Sequence, residues 1–232
     1  MRELLHAGRR RVRTVTVASG GDHSDLVDEI VGLAHDAGVR VEEVPRDRFD
    51  ALAKTDHAQG VFADAEAVTP VDLDDLLRAE RPFLVALDGV TDPHNLGAII
   101  RTAETAGVTG LLVPRHRSAH LSPTAVKAAA GAVEYLPIAL VAGIPQALER
   151  AHRAGVWSVG LDEGGDTDIS SLALADGPLV LVLGAEGRGL ARLTRARCEV
   201  IASIPMHGEI ASMNVSAAAA VALHAIAHRR LQ

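Results

Sequence analysis

Short apolar, β-branched runs alternate along the chain with stretches in which apolar residues recur at helical spacing. In the first third, residues 12–18 (VRTVTVA), 39–44 (VRVEEV) and 59–65 (QGVFADA) read as strands. Between them, residues 23–38 (HSDLVDEIVGLAHDAG) carry a helical pattern with Ser24 as N-cap and Gly38 as stop, and residues 47–54 (DRFDALAK) form a shorter helix. The acidic stretch AEAVTPVDLDDLLRAE, with Pro70, reads as a linker holding a helical turn or two. Further strands follow: FLVALDGV ending at Asp88, then GLLVP, YLPIALV, VWSVGL, PLVLVLG and VIASIPM, with helical segments between most of them. This alternation predicts an α/β protein with a mainly parallel sheet. The divisions expected are a small domain over 1–66, a linker over 67–80 and a larger domain over 81–232.

Composition changes that picture little. The chain of 232 residues is 48% hydrophobic, enough for a real core. The alanine-rich run SMNVSAAAAVALHAIAH is slightly short for a membrane span and broken by polar residues, so no membrane association is expected. One cysteine, Cys198, allows no internal disulfide and suits the reducing cytoplasm. Aromatic residues are only 2%, which disfavours a sheet that stacks RNA bases on Phe and Tyr.

Charge is more informative. The formal net charge of −7 argues against nucleic acid, whose phosphates usually select a basic footprint. Its distribution softens the objection. Residues 1–80 hold 10 Lys and Arg against 17 Asp and Glu, whereas residues 81–232 hold 13 of each. Residues 1–13 alone carry five arginines against Glu3, a local basic patch in an acidic chain.

Three segments concentrate polar chemistry at strand ends, where open α/β sheets bind ligands. In DGVTDPHNLGAIIRTAETAG a strand ends, a loop turns at a proline, and a helix begins near Asn95. Leu96, Ile99, Ile100 and Ala103 mark its buried face; Arg101 lies off it. On this segment alone, Asn95 reads equally as a helix cap and Arg101 as a solvated side chain. In LVLVLGAEGRGL an apolar strand runs into Gly184, Gly187 and Gly189 around one carboxylate, Glu186. The glycines permit close backbone approach to a ligand. The string is neither a dinucleotide fingerprint nor a P-loop, which disfavours an oxidoreductase and an NTPase. In IPMHGEIASMNVSAAAAVALHAIAHRR, Ser212, Asn214 and Ser216 crowd a helix start near Asn214, more polar side chains than capping requires. His224 and His228 share a helix face, but no third ligand accompanies them, so no metal is expected.

Together these motifs resemble those of the SpoU/TrmH branch of the SPOUT superfamily, the ribose 2′-O-methyltransferases of RNA. The family pattern is N-x5-R, then G-x-E-x-x-G, then I-P-M-x-G-x4-S-[LM]-N-V-S, and all three occur here in order across residues 83–230. The segment PRHRSAHLSPTAVKAAAGAVEYLP is similar to the subgroup acting on a guanosine of bacterial 23S ribosomal RNA. Residues 1–66 resemble that subgroup's small RNA-binding domain, itself similar to some ribosomal proteins. That domain ordinarily has a further segment ahead of RELLHAG, so the resemblance implies an N-terminally shortened one.

The resemblance implies a SPOUT methyltransferase domain with a C-terminal trefoil knot, S-adenosyl-L-methionine as cofactor, and a homodimer in which both chains approach one site. It places Leu183, Gly184, Gly189, Ile204, Met206, Met213 and Ser216 at the cofactor. Arg101, Asn95, Ser212, Asn214 and Glu186 become the candidate catalytic set. In that set Arg101 acts on the developing alkoxide, since a guanidinium with a pKa above ~12 is a poor literal base. Candidate RNA contacts are Arg9, Arg10 and Arg11 of the basic patch, with Arg115, Arg117 and Lys127. The alternatives are the same chemistry on transfer RNA and a non-catalytic RNA-binding relative. The first is disfavoured by the N-terminal resemblance and the second by the presence of Asn95 and Arg101.

Overall fold

The computed structural model describes the chain except residues 21–23, 54–59, 117, 211 and 232. It divides into two units, Met1–Val68 and Thr69–Gln232.

The first unit contains α1 (Arg2–Ala7), β1 (Val12–Ser19), α2 (Asp25–Asp36), β2 (Arg40–Pro45), α3 (Arg46–Leu52) and β3 (Val61–Ala65). β1 is central, parallel to β2 and antiparallel to β3. Successive side chains of a strand point to opposite faces. Val15 and Val17 therefore pack with Val27, Ile30 and Ala34 of α2, while Ala18 packs with Val44 of β2 and Phe49 of α3. Both faces of β1 are covered, which explains its unbroken buried run from Val15 to Ala18. The basic patch is partly used internally. Arg10 Nη1 donates to the carbonyl of Glu66 at 2.8 Å, and Arg13 pairs with Asp64 at 3.5 Å. Arg9 and Arg11 are exposed.

The second unit begins earlier than the sequence pattern suggests. Residues 67–80, expected as a linker with a helical turn or two, do hold a short helix, α4 (Leu73–Leu77), but from Thr69 onward they belong to the larger unit, with a bridge from Val71 to Ala139. Asp72 caps α4 by accepting the Asp74 N–H at 2.8 Å. Leu73, Leu76 and Leu77 are buried in the main core. These leucines sit at helical spacing, but four acidic residues in a ten-residue stretch, Asp72, Asp74, Asp75 and Glu80, obscure the apolar face.

The remaining elements are β4 (Phe83–Asp88), α5 (Pro93–Thr105), β5 (Gly110–Pro114), α6 (Pro123–Ala128), β6 (Ile138–Val141), α7 (Ile144–Arg153), β7 (Trp157–Leu161), β8 (Thr167–Asp168), β9 (Leu179–Gly184), α8 (Arg192–Arg195), β10 (Val200–Ser203) and α9 (Val215–Arg230). Strands β4 to β10 form one sheet in the order β6-β5-β4-β9-β7-β10-β8, and every pairing is parallel. The six longer strands match the expected runs; the two-residue β8 is too short to leave a pattern. Alternation along β4 and β9 sends Leu84, Ala86, Val180 and Val182 into a core with α4 and α7. The intervening positions turn to the opposite face, where the Arg230 guanidinium of α9 lies 5.1 Å from the Phe83 ring centre. Arg230 also donates to the carbonyls of Ala175 (2.9 Å), Gly177 (2.6 Å) and Arg81 (3.0 Å), which fixes the end of α9 below the sheet.

Two local devices hold the sheet and helices in place. Glu199, just before β10, accepts from the Ser158 hydroxyl, from the Ser158 N–H and from His152. Against the desolvation that burial imposes, these bonds hold its carboxyl below the usual range. On the other face, α5 and α6 meet at Gly97, where a Cβ would lie 2.4 Å from Ala128 Cβ and 2.5 Å from the Ala125 carbonyl oxygen. Gly32, by contrast, is exposed on α2 with nothing near a would-be Cβ. Gly97→Ala is therefore expected to destabilise the protein by about 1–3 kcal/mol through overpacking. Gly32→Ala is expected to stabilise it by about 0.4–1 kcal/mol. Urea denaturation of both variants checks the pair; equal effects would contradict the tight contact between α5 and α6.

Candidate active site

The chain runs outward from β4 to β5 and β6, then crosses back to β7 on the other side, and β9 later inserts between β4 and β7. That reversal leaves a crevice at the carboxyl ends of the strands, the usual ligand position in an open α/β sheet. All three sequence motifs lie at these ends.

Local caps decide which polar groups face the crevice. Asp92, not Asn95, caps α5: it accepts the His94 N–H at 3.0 Å, with Pro93 in the first helical turn. Asn95 is thus relieved of capping, and its side chain, only 7% exposed, is free for tertiary bonds. Asn214 does cap α9. Its Oδ1 accepts the N–H groups of Ser216 (2.9 Å) and Ala217 (3.4 Å) and the Ser216 hydroxyl (2.6 Å). Its Nδ2 remains free to reach across the sheet. Glu186 Oε1 accepts from both asparagines, at 2.8 Å from Asn95 Nδ2 and 2.6 Å from Asn214 Nδ2. The triangle closes with Asn214 Nδ2 donating to Asn95 Oδ1 at 3.2 Å.

The loop carrying Glu186 is closed on itself by Ala185 and Gly189, which exchange N–H to O bonds of 2.9 and 3.0 Å. A Cβ on Gly184 would sit 2.3 Å from the Gly189 carbonyl carbon, so only glycine permits this closure. Asp88 at the end of β4 accepts the Ala191 N–H at 2.8 Å and so anchors the far side of the loop.

Beside this network lies a cleft of about 500 Å³, within the ~300–1,000 Å³ range of small-molecule sites. Leu183, Gly184, Glu186, Gly187, Gly189, Ile204, Met206, Ser212, Met213 and Asn214 line it, ten of the residues singled out in the sequence. Sequence reasoning missed Leu161, Asp162, Glu163, Ala185, Arg188, Val215 and Ala218, which complete the lining. Asp162 and Glu163 had a legible signal, since they directly follow the strand WSVGL; their chemistry resembled that of any polar strand end.

Other expected residues lie elsewhere. Ser216 is not in the lining, because its hydroxyl is turned to the Asn214 cap. Asn95 borders the cleft only through Glu186 and Asn214. Arg101 is exposed on α5 and makes no hydrogen bond or ion pair among the described residues. Arg115 and Lys127 are exposed near the ends of β5 and α6, and Arg117 lies outside the described residues. Among the described residues no group of three His, Cys, Asp or Glu is placed to hold a metal, and no helix is long and apolar enough to cross a membrane.

A cleft of this kind defines an α/β enzyme that takes a nucleoside-sized ligand at the carboxyl edge of a parallel sheet. Residues 82–224 match the SpoU rRNA Methylase family, and residues 1–71 match the family described as RNA 2'-O ribose methyltransferase substrate binding. The chain belongs to the SpoU family of RNA ribose 2′-O-methyltransferases. It is 42% identical over 237 aligned residues to the Pseudomonas aeruginosa 23S rRNA (guanosine-2'-O-)-methyltransferase RlmB, covering 98% of this chain and 92% of that one. Among solved structures it is similar to the SpoU methyltransferase AviRb from Streptomyces viridochromogenes in complex with AdoMet, with 28% identity and a TM-score of 0.82 over 99% of this chain and 87% of that one. An AdoMet-bound rRNA methyltransferase from Sinorhizobium meliloti matches with 28% identity and a TM-score of 0.82, over 100% of this chain and 86% of that one.

The network makes a stability prediction. Glu186→Ala strands the buried Asn95 amide and is expected to cost about 1–3 kcal/mol. Asn214→Ala removes a cap and is expected to cost roughly 0.5–2 kcal/mol. Glu186→Gln keeps an acceptor oxygen and should cost less than either. Chemical denaturation of the three variants checks the order; a Glu186→Ala loss below about 0.5 kcal/mol would mean the triangle does not hold the loops.

Proposed function

We propose that the chain methylates the 2′-hydroxyl of a guanosine in 23S ribosomal RNA, with S-adenosylmethionine as methyl donor, in the cytoplasm. The observation that carries this reading is the likeness to the Pseudomonas aeruginosa enzyme along 98% of the chain, substrate-binding region included.

The cleft fits that donor. Leu183, Ile204, Met206 and Met213 supply apolar walls for a purine, and the glycine loop brings backbone close. Carboxylates of Asp162, Glu163 and Glu186 outnumber Arg188, the one lining cation among the described residues, as suits a ligand whose sulfonium and ammonium outweigh its one carboxylate. When bound, the donor supplies an electrophilic methyl with its own leaving group. The protein's remaining task is to align the ribose oxygen and manage its proton. Glu186 is tied to two asparagines, so Asn95 and Asn214 are held rigid at the cleft's border, where they orient the ribose. Ser212 stands in the same lining. Arg101 is a guanidinium without an internal partner among the described residues, suited to an RNA phosphate and to the charge that develops on the alkoxide. Arg9, Arg11, Arg115 and Lys127 are exposed cations that fit further phosphate contacts. Arg10 is a poorer candidate because its guanidinium is bonded to Glu66.

The same reading includes a C-terminal trefoil knot and a homodimer. Support for the dimer is the outward face of α9, where Val221 is 43% exposed, together with exposed Met206, Ile210 and Met213. Analytical ultracentrifugation at micromolar concentration should give twice the 24.3 kDa chain mass; a monomer with full activity would remove the dimer from the proposal.

Single-turnover methylation tests the central claim, with 23S and transfer RNA as competing substrates and mass-spectrometric mapping of the product. Methyl should appear on one guanosine ribose of the 23S RNA. Arg101→Ala should lower kcat and kcat/KM together by about a hundred- to a thousandfold while donor affinity stays unchanged. Arg101→Lys should recover little, because an ammonium lacks the planar two-pronged contact. Methyl on transfer RNA, or a near-wild-type rate for Arg101→Ala, would overturn the substrate or the mechanism respectively.

A further inference from the structure

β7 lies between β9 and β10, the two strands whose loops wall the cleft. The residue that follows it, Asp162, therefore projects where those loops converge, and it lines the cleft. Its backbone is fixed by an N–H bond to the Ala202 carbonyl at 2.9 Å. The two oxygens of its carboxylate are used differently. Oδ1 accepts the Gly164 N–H at 3.1 Å and pairs with Arg195 Nη1 at 3.0 Å. Arg195 is itself held by the Gly164 carbonyl through Nη2 at 3.3 Å. Oδ2 takes no hydrogen bond among the described residues. It faces the glycine loop so closely that a Cβ on Gly189 would lie 3.1 Å away. The side chain is only 20% exposed, so this free acceptor is held in a fixed direction.

We propose that Asp162 accepts hydrogen bonds from the ribose hydroxyls of the nucleoside held in this cleft. The proposal rests on the reading that the cleft takes S-adenosylmethionine. Two features select hydroxyls over the ligand's ammonium, although a carboxylate can accept from either. Arg195 already neutralises much of the Asp162 charge, which weakens its pull on a cation but leaves a good acceptor. Glu186 takes its bonds from two neutral amides, so its charge stays available to the cationic end. An acidic side chain beside a glycine loop meets ribose hydroxyls in other open α/β sheets for the same geometric reason. Arg195 acts as a positioning residue, orienting the carboxylate without touching the ligand.

Calorimetry on the full-length protein with S-adenosylhomocysteine, its 2′-deoxy and 3′-deoxy analogues, and 5′-methylthioadenosine tests this. In the wild type, removing a contacted hydroxyl should weaken binding by about ten- to a hundredfold, the range for a hydrogen bond to a charged group. Asp162→Ala should weaken S-adenosylhomocysteine and methylthioadenosine equally and then respond little to deoxygenation. Melting curves confirm that the variant is folded, and the deoxy arm in the wild type needs no variant. Equal binding of the deoxy analogues by the wild type overturns the proposal. So does a loss confined to S-adenosylhomocysteine, which would put Asp162 at the ammonium, or full sensitivity to deoxygenation in Asp162→Ala. Absence of S-adenosylhomocysteine binding by the wild type would instead overturn the reading of the cleft, and this proposal with it.

Discussion

The site depends on one carboxylate oxygen. Glu186 Oε1 accepts from Asn95 and from Asn214, side chains that belong to opposite ends of the second unit. An anionic acceptor shared by two amide donors is stronger than a neutral pair and expensive to leave unfilled. Three loops from three strands are thereby locked to one another before any ligand arrives. Such prior order lets binding groups act without reorganising.

The supporting parts are arranged so that this oxygen is available. Asp92 takes over the cap of α5 and leaves Asn95 for the network. Asn214 divides its amide, with oxygen on its own helix and nitrogen on Glu186. The glycines at 184 and 189 allow the loop to fold back on itself and bring Glu186 to the asparagines. Asp88 secures the loop's exit. Arg101 is a cation whose partner the described residues do not supply, as are Arg115 after β5 and Arg188 in the glycine loop.

The second unit also has fastenings away from the cleft. The lower half of the sheet is fastened by Arg230 on three carbonyls and on the Phe83 ring, and its side by Glu199 on Ser158 and His152. Cys198, beside Glu199, has its thiol pushed up to about 12 by burial and the neighbouring carboxylates, so it stays protonated and inert at neutral pH. These groups titrate or bond away from the cleft.

By itself the sequence determined the class of fold, the six longer strands of the parallel sheet and the three loops that carry the chemistry. It could do so because hydrophobic periodicity and glycine–proline punctuation are local properties. It also named ten lining residues: Gly184, Glu186, Gly187, Gly189, Ser212 and Asn214 stood out in its motifs, and Leu183, Ile204, Met206 and Met213 came from the family resemblance. It did not reveal that residues 71–77 join the larger unit, since the leucine face of α4 is short and surrounded by acids. Which asparagine caps and which is free was likewise undecided, because both sit at a helix start and only the position of Asp92 distinguishes them. Asp162 was passed over for a related reason: a carboxylate after a strand means nothing until β9 and β10 are seen to lie on either side of β7. Strand order, the sharing of one oxygen by two distant amides, and the direction of a free carboxylate oxygen are long-range facts. Tertiary packing alone decided them, because each depends on residues that local pattern cannot bring together.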